Sequence, residues 1–476
     1  MKKLIFNISI LALIVGGFTS CDKELDQVPF DEFGTENAYE TTRDFENAIR
    51  GVYRSLANPS LYGGSDSGGM YDAPDVLSDN VTFAQEGRQT RFNLHNWYYG
   101  TANASMSSTY YYAYQMIYRA NLLLSHIGDF EGENKQNVEA EARALRALGY
   151  LDAVSFFGKI PTQSNDANAS LGVPYLDEPD PLARPERQTV GFIYGKIVED
   201  LAAAAEGINV DNPEGRLNKN AVNTLLSRVY LYMGEYAKAV SAANKVTADV
   251  APRESVLGVW QDTNRDGVLF VIPNEEGILG LSVGVTWSQG SARALRPEYV
   301  ASYELANLYT SDDVRKEAFI LETDKYNGIR KLFGRPGQSD GKVDLKIFRA
   351  EEAYINKAEA LVMDPAGDLN AAKTALKKVM NNRYENPPNI DGLDRNQLRE
   401  RVRLERRLEF AFESQRFFDL KRWGLGVSRD GQGDLKDGSG TPSESQNLPA
   451  GDHRFQLPFS QTAMDRNPNL VQNPGY

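Results

Sequence analysis

Residues 401–424 have the sequence RVRLERRLEFAFESQRFFDLKRWG, in which charged and apolar side chains alternate. The apolar side chains in this part of the chain recur every three or four positions, which is the spacing of one face of an α-helix. They are Leu398, Val402, Leu404, Leu408, Phe412 and Phe417. The pattern therefore predicts a single, strongly charged helix over residues 395–420 with its apolar stripe buried.

Three glutamates in this stretch are four residues apart, so a continuous helix would place them on one face. They are Glu405, Glu409 and Glu413, and the arginines available to pair with them are Arg406, Arg416 and Arg422. Charges that leave water must pair, because an unpaired buried charge is very costly. We expect a partly buried salt network that fixes the position of the helix, which is a structural role rather than a ligand-binding one.

Two further segments are similar to one helical hairpin that occurs twice. Residues 221–246 contain the series Leu225, Val229, Tyr230, Gly234, Tyr236, Ala239 and Ala243, and residues 353–384 contain Ala358, Leu361, Gly367, Leu369, Ala372 and Leu376. Both resemble the tetratricopeptide repeat, with glycine at the tight turn and small residues where the helices cross. One such hairpin cannot bury its apolar face alone, so we expect the neighbours to stack. Two ordinary helix pairs are the alternative.

The rest of the chain divides into helical and irregular parts. Apolar periodicity predicts further helices over residues 39–56, 108–127, 135–157 and 191–206. Between residues 251 and 346 the pattern changes to loops and short β-like runs, at 268–272, 278–287 and 328–333. We predict an N-terminal helical region over 36–250, an irregular insert over 251–346, and a C-terminal helical region with a tail over 347–476.

The N-terminus is typical of an exported lipoprotein. Residues 1–20 combine two lysines, an apolar run and small residues, and are predicted to be a signal peptide that ends before Cys21. The alternative, a transmembrane anchor, needs about 20 apolar residues, and the run over 4–15 is shorter. The segment resembles a bacterial lipobox, with Phe18 where the pattern usually has Leu, so we expect Cys21 to carry lipid. Residues 21–35 are predicted to be a tether, and their acidic start resembles a tag for surface export.

Composition excludes several classes of function. The net charge of −13 argues against nucleic acid as the main partner. The single cysteine leaves none for a disulfide, a metal cluster or a thiol nucleophile. The histidines, His95, His126 and His453, are not spaced to bind a metal, and no hydrolase or phosphate-binding motif is present. A glycosidase needs only two carboxylates, and counting does not exclude it in a chain with 65 Asp and Glu, but no motif singles out a pair. We therefore assign no catalytic and no metal-binding residues.

One short segment is similar to the beginning of a calcium loop. Oxygen-bearing side chains stand at positions one, three and five, as Asp262, Asn264 and Asp266, and Gly267 stands at position six. The twelfth position is Pro273, so the glutamate that completes such a loop is missing. A polar turn before a strand is favoured over a calcium site, and no other cofactor is expected.

The C-terminal motif identifies a family. Residues 405–424 match the pattern E-R-x-x-E-x-x-x-E-x-x-R-F-F-D-L-x-R-W-G of the SusD/RagB family of outer-membrane nutrient-binding lipoproteins, which this chain resembles. The single departure noted is Ser414, where the family usually has glycine. Further similarity lies at residues 118–121, 142–147, 455–458 and 467–476. The resemblance therefore covers essentially all of the mature chain.

The resemblance implies a fold and a function. The fold would be mainly α, with tetratricopeptide-like hairpins forming a right-handed superhelical scaffold and an irregular insert carrying the ligand site. The protein would be lipid-anchored in the outer membrane and face the cell exterior. It would capture oligosaccharides and deliver them to a TonB-dependent, SusC-like transporter without catalysis. A peptide receptor of the same family is the first alternative, and a lipid-anchored hydrolase is disfavoured because no catalytic constellation is recognisable.

Loop aromatics are the candidate ligand-binding residues. Sugars stack their C–H faces on flat rings while polar side chains hold their hydroxyls. Two polar segments contain a tryptophan, residues 88–99 and 287–293, and the resemblance implies that the ligand site is assembled from these two regions. We expect Trp97 and Trp287 to stack on the glycan and Arg91, Arg293 and Asn96 to orient it, with Tyr71, Asp79 and Asn80 as the next candidates. The alternative for each tryptophan is core packing.

Overall fold

The computed structural model describes residues 38–63, 69–274, 283–291 and 294–476. The described chain is mainly helical, as predicted. Its helices are α1 (Thr42–Leu56), α2 (Ala73–Val76), α3 (Phe92–His95), α4 (Ser107–His126), α5 (Lys135–Phe157), α6 (Val190–Gly207), α7 (Lys219–Met233), α8 (Tyr236–Ala243), α9 (Val256–Trp260), α10 (Val283–Trp287), α11 (Tyr303–Leu308), α12 (Val314–Phe319), α13 (Ala350–Met363), α14 (Leu369–Met380), α15 (Arg395–Phe410), α16 (Arg416–Arg422) and α17 (Gln461–Arg466). The signal peptide, Cys21 and the tether predicted over 21–35 lie outside the described residues.

The strands form two-stranded antiparallel sheets. They are β1 (Val81–Phe83), β2 (Leu171–Pro174), β3 (Arg187–Thr189), β4 (Val268–Ile272), β5 (Ser288–Ser291), β6 (Ala294–Pro297), β7 (Tyr299–Ala301), β8 (Ile320–Glu322), β9 (Asn327–Ile329), β10 (Leu345–Arg349), β11 (Val427–Ser428) and β12 (Asn447–Leu448). The pairs are β1–β7, β2–β3, β4–β10, β5–β6, β8–β9 and β11–β12.

Local signals place the N-terminal helices. Thr41 and Asp44 form a reciprocal capping box at the start of α1, in which the Thr41 N–H donates to Asp44 Oδ2 over 2.8 Å. Helix α5 spans Lys135–Phe157, as its periodicity predicts, and most of its side chains are buried because α1, α4 and α6 pack around it. This bundle forms the core of the N-terminal region.

The two predicted hairpins are present and stack on each other. Helices α7 and α8 are joined at Gly234, which has φ +75°, a conformation that costs glycine little. Helices α13 and α14 are joined through Gly367, where a Cβ would collide with the Leu361 carbonyl oxygen. Leu231 and Ala239 of the first hairpin pack with Ala360 of the second. Small residues at the crossing allow this close stacking, as the repeat pattern indicates.

The insert is only partly as predicted. Strand β4 forms at 268–272 and pairs with β10, so the insert is attached to the start of the C-terminal region. The strand predicted over 278–287 is wrong where it can be seen, because residues 283–287 form helix α10 and residues 275–282 lie outside the described residues. An apolar run this short does not show the periodicity that would distinguish a strand from a helix.

The helix predicted over 395–420 is also wrong, because it is broken between α15 and α16. Phe412 and Ser414 have φ values of +66° and +67°, in the left-handed region. The buried carboxylate of Asp75 accepts the N–H of Phe412 over 3.1 Å and that of Ser414 over 3.0 Å. The Ser414 hydroxyl also donates to the Tyr71 carbonyl oxygen over 2.6 Å. A left-handed residue explains why glycine suits this position, and serine is held there by its own hydrogen bonds.

The predicted salt network is present, but with other partners. Glu405, Glu409 and Glu413 are buried, although Glu413 lies after the end of α15. Four of their cations come from elsewhere in the chain, namely Arg315, Lys331, Arg349 and Arg383, and the fifth, Arg401, lies on α15 itself, one turn before Glu405. The three arginines expected to pair with them instead contact Asp79, Glu359 and Asp419. The network ties α15 to the insert and to the second hairpin.

Glu409 is at the centre of this network. Its Oε1 accepts from Arg349 over 2.9 Å and from Arg383 over 3.0 Å, and its Oε2 lies 3.5 Å from Arg315. Burial alone would raise the pKa of Glu409, but the guanidinium groups of Arg383 and Arg349 hold it well below its usual value. Glu409 is therefore a buried, fully charged carboxylate held among three arginines.

Candidate functional site

The two loop segments singled out in the sequence meet in space. Strands β1 and β7 pair with Phe83 opposite Tyr299, which brings residues 85–98 beside residues 296–301. The Arg88 N–H donates to Glu298 Oε1 over 2.8 Å, and the Tyr299 hydroxyl donates to the Thr90 carbonyl oxygen over 3.0 Å. The fold thus brings the first loop region against the chain just after the second, and the ligand site expected there stays a prediction.

Trp97 does not present its ring to solvent, which corrects the expectation of an exposed platform. Its side chain is 2% exposed, and Nε1 donates to the Leu77 carbonyl oxygen over 3.1 Å. The guanidinium carbon of Arg429 lies 4.2 Å from the ring centroid. Arg429 directly follows β11, far from Trp97 in the sequence. The sequence around Trp97 therefore does not reveal this contact. The ring therefore packs in the core beneath the surface.

Trp287 is buried as well, and the same expectation is wrong for it. It is the last residue of α10, and its ring meets those of Tyr299 and Phe412 at centroid distances of 6.1 and 6.0 Å. Phe412 belongs to the left-handed break after α15, so Trp287 locks the insert onto that break. Arg293 lies outside the described residues.

Arg91 and Asn96 hold the loop rather than face solvent. Arg91 is buried and lies 2.6 Å from the Asp72 carboxylate. The Asn96 side chain accepts the N–H of Ser445 over 2.9 Å and donates to the Phe92 carbonyl oxygen over 3.1 Å. Their polar groups are therefore occupied by the protein, and the expected contacts with sugar hydroxyls would require them to leave these partners.

Asp79 joins the first loop to the C-terminal helices. Its carboxylate accepts from Arg416 over 2.7 and 2.8 Å and lies 3.5 Å from Arg407. Burial alone would raise the pKa of Asp79, but Arg407 and Arg416 hold it well below its usual value. Asp79 is a charged structural group at the floor of a depression of about 630 Å³.

Asn80 and Tyr71 have comparable structural contacts. The Asn80 side chain donates to Asp75 over 2.9 Å and accepts from Arg407 over 3.0 Å. The Tyr71 hydroxyl donates to the Lys346 carbonyl oxygen over 3.3 Å. Both side chains are buried, so neither offers an exposed ring or amide.

The ring that this surface does expose is Tyr98, which sequence reasoning did not select. Its side chain is 45% exposed, and its hydroxyl donates to Glu444 over 3.0 Å. The half-buried ring of Phe92 lies beside it at 6.3 Å between centroids, and Arg88 and Asn93 are exposed nearby in the chain. We call these five residues the Tyr98 surface. The run from Asn96 to Tyr99 contains three aromatics, and their order alone does not tell which one points outward.

The calcium loop suggested by the sequence is not formed. The Asp262 carboxylate contacts Lys346, Arg265 and Arg335, so cationic side chains occupy the oxygens that a calcium ion would need. Asn264 donates to the Ser255 carbonyl oxygen over 3.1 Å. The segment is the polar turn that precedes β4. Across the described ranges, no cluster of three His, Cys, Asp or Glu side chains is arranged to hold a metal.

No helix within the described ranges has the length and apolar character needed to cross a membrane.

Two family models match the chain. One, described as the SusD family, matches residues 281–476. The other, described as starch-binding and associating with the outer membrane, matches residues 32–231. The two matches lie on either side of residues 232–280, and the first contains the charged motif of residues 405–424.

Individual proteins are similar over the full length. SusD-like protein P2 of Formosa agariphila is 26% identical, with 100% of both chains covered. The starch-binding protein SusD of Bacteroides thetaiotaomicron is 23% identical, with 100% of this chain and 99% of that protein covered. A crystal structure of a SusD superfamily protein from Bacteroides thetaiotaomicron has a TM-score of 0.79 and 26% identity, over 91% of this chain and 100% of its own.

Proposed function

Since the chain belongs to the SusD/RagB family, we propose that it captures oligosaccharides at the cell surface and delivers them to a TonB-dependent, SusC-like transporter. The family associates with the outer membrane and consists of binding proteins, so the chain is a binding protein rather than an enzyme. The starch-binding relative supports carbohydrate as the ligand class.

The Tyr98 surface carries the residue-level proposal. Its exposed ring offers a flat face for the C–H groups of a sugar. Glu444 accepts from the hydroxyl of Tyr98 and thereby orients the ring, while the exposed Asn93 amide supplies polar groups for sugar hydroxyls; Arg88 Nε is already held by Glu298. A shallow platform of this kind predicts modest affinity, with Kd roughly micromolar to millimolar, or about −8 to −4 kcal/mol.

Replacing Tyr98 with alanine is expected to weaken glycan binding about five- to thirtyfold, because the only exposed ring among the described residues of this surface is removed. Tyr98→Phe keeps the ring and loses only the hydroxyl, so it should retain most of the affinity. Retardation in native gels that contain soluble starch, laminarin, xylan, galactomannan or pectin would select the ligand, and calorimetry would measure it. Unchanged affinity in Tyr98→Ala would move the site elsewhere.

A peptide receptor remains the competing proposal within the same family. A tryptic digest of casein, titrated into the wild-type chain and into Tyr98→Ala, separates the two. If calorimetry shows binding of the peptides to the wild-type chain but not to Tyr98→Ala, and no binding of the five polysaccharides, the peptide proposal replaces the glycan proposal.

The anchor proposal rests on Cys21, which follows the apolar run of the signal peptide. Cys21→Ala should release an otherwise folded chain from the outer membrane, because lipid on this cysteine would be its attachment. Membrane fractionation and labelled palmitate measure the outcome, and a tagged wild-type chain should co-purify with a TonB-dependent transporter. A Cys21→Ala chain that still incorporates palmitate and stays with the membrane would contradict the proposal.

A further inference from the structure

A second aromatic surface lies on the other side of the turn that follows Tyr98. A groove of about 750 Å³ runs between the beginning of α4 and the C-terminal segment that contains α17. This volume falls within the range of small-molecule sites, about 300–1,000 Å³. Four tyrosines of α4 form one wall: Tyr110, Tyr111, Tyr112 and Tyr114. Hydroxyl and amide side chains of residues 460–467 form the other wall.

The four tyrosines have two different roles. The Tyr110 ring packs against Phe157 at 5.0 Å and Phe459 at 5.3 Å, and the Tyr114 hydroxyl donates to the Pro174 carbonyl oxygen over 2.6 Å. These two residues are one helical turn apart and fix that face of α4 on the protein. Tyr111 and Tyr112 form the outer pair: Tyr111 is 52% exposed, and Tyr112 is half-buried with part of its ring against the core. Tyr111 is therefore the ring of the four that is most open to a ligand.

The outer pair offers two faces at an angle. The rings of Tyr111 and Tyr112 lie 5.1 Å apart with an interplanar angle of 84°. Neither hydroxyl has a hydrogen-bond partner among the described residues, so both are available to a ligand. Exposing the apolar faces of aromatic rings to water is unfavourable, and such exposed rings are common where sugars or bases stack.

The opposite wall is polar and rigidly held. The Gln461 N–H donates to the Thr101 carbonyl oxygen over 3.2 Å, and the Asn467 side chain donates to the Pro185 carbonyl oxygen over 2.9 Å. Arg466 is exposed at the same wall and has no carboxylate partner within the described residues. None of the described residues that line the groove is acidic, although the chain as a whole has a net charge of −13.

We propose that this tyrosine groove is a second carbohydrate-binding site, which takes a neutral or anionic segment of the same glycan. The inference rests on the proposed function, because it assumes that the chain binds glycans. The apolar part of the lining is alanine and one buried leucine besides the tyrosine rings, whereas the core of a protein interface presents larger apolar groups. Hydroxyl, amide and guanidinium groups beside flat rings are the set that recognises a sugar.

The groove and the Tyr98 surface are adjacent along the chain, and our proposal is that one chain of sugars uses both. Only the turn over residues 99–103 separates them, closed by the Asn103 N–H, which donates to the Gly100 carbonyl oxygen over 3.0 Å. The Asn103 side chain donates to the Tyr98 carbonyl oxygen over 3.2 Å, and Asn103 also lines the groove. Two weak sites on one polymer give a higher apparent affinity than either alone.

The test uses the double variant Tyr111→Ala/Tyr112→Ala of the full chain. Its affinity for the polysaccharide that is retarded most among starch, laminarin, xylan, galactomannan and pectin should fall about tenfold relative to the wild type. Phe192→Ala is the matched control, since this exposed ring, at 41%, lies on α6 outside both surfaces. Its affinity should equal that of the wild type, and all affinities are compared at a temperature at which every variant is folded.

The outcomes separate the two proposals. Unchanged affinity in the double variant, together with a loss in Tyr98→Ala, would overturn the second site and leave the proposed function standing. No retardation of the wild-type chain by any of the five polysaccharides would overturn both. Binding of a casein digest that needs Tyr111 and Tyr112, without binding of polysaccharide, would make the groove a peptide site and overturn the carbohydrate assignment.

Discussion

Replacing Glu409 with alanine is expected to lower the free energy of unfolding by about 3–5 kcal/mol, because the arginines that remain would be buried charges without this carboxylate. Three guanidinium groups would lose this carboxylate, those of Arg315, Arg349 and Arg383. Arg315 and Arg383 are fully buried, so water cannot replace the lost partner. Chemical denaturation of the two chains measures the difference.

The matched control is on the same helix. Glu400 is exposed and pairs with Arg399 and Arg403 at the surface, so Glu400→Ala should change the free energy of unfolding by less than about 1 kcal/mol. Glycan affinity should be unchanged in both variants at temperatures where they are folded. Equal stability of Glu409→Ala and Glu400→Ala would contradict the structural role, and a loss of affinity without a loss of stability would make Glu409 part of a binding site.

The sequence predicts well those elements whose signals are local. Helix α5 carries its own period, and the turn between α7 and α8 carries its own glycine at 234, so both could be found without the rest of the chain. The break after Phe410 could not be predicted from the local sequence, because the carboxylate that accepts its N–H groups belongs to Asp75, more than 300 residues away. The salt network is similar: the acidic face and its neighbour Arg401 are visible in the sequence, but the other four cations come from distant parts of the chain.

The candidate site divides in the same way. The two loop regions could be predicted to meet, since both carry polar and aromatic residues where the family assembles its site. The sequence could not show which ring faces outward, because the contacts that bury Trp97 come from distant residues. Arg429 packs over its ring, and the Leu77 carbonyl oxygen accepts its Nε1–H. Tyr98, the next residue, is left exposed by the same packing. Tryptophan is the more common stacking residue, but in this pair of neighbours it is the tryptophan that is buried and the tyrosine that is exposed.

This difference between two adjacent residues gives the second large prediction. Trp97→Ala is expected to lower the free energy of unfolding by about 3–5 kcal/mol, because it leaves a cavity where a fully packed ring stood. The Leu77 carbonyl oxygen would lose its donor, and the Arg429 guanidinium would lose the ring beneath it. Thermal and chemical denaturation measure this cost.

Tyr98→Ala supplies the comparison from the neighbouring position. Its exposed ring contributes little to the core, so its unfolding free energy should lie within about 1 kcal/mol of the wild type. Glycan affinity should show the opposite order: reduced in Tyr98→Ala, and close to that of the wild type in Trp97→Ala at a temperature where that variant is folded. A stable Trp97→Ala that no longer binds glycan would show that the Trp97 ring leaves its buried position to meet the sugar, as the sequence first suggested.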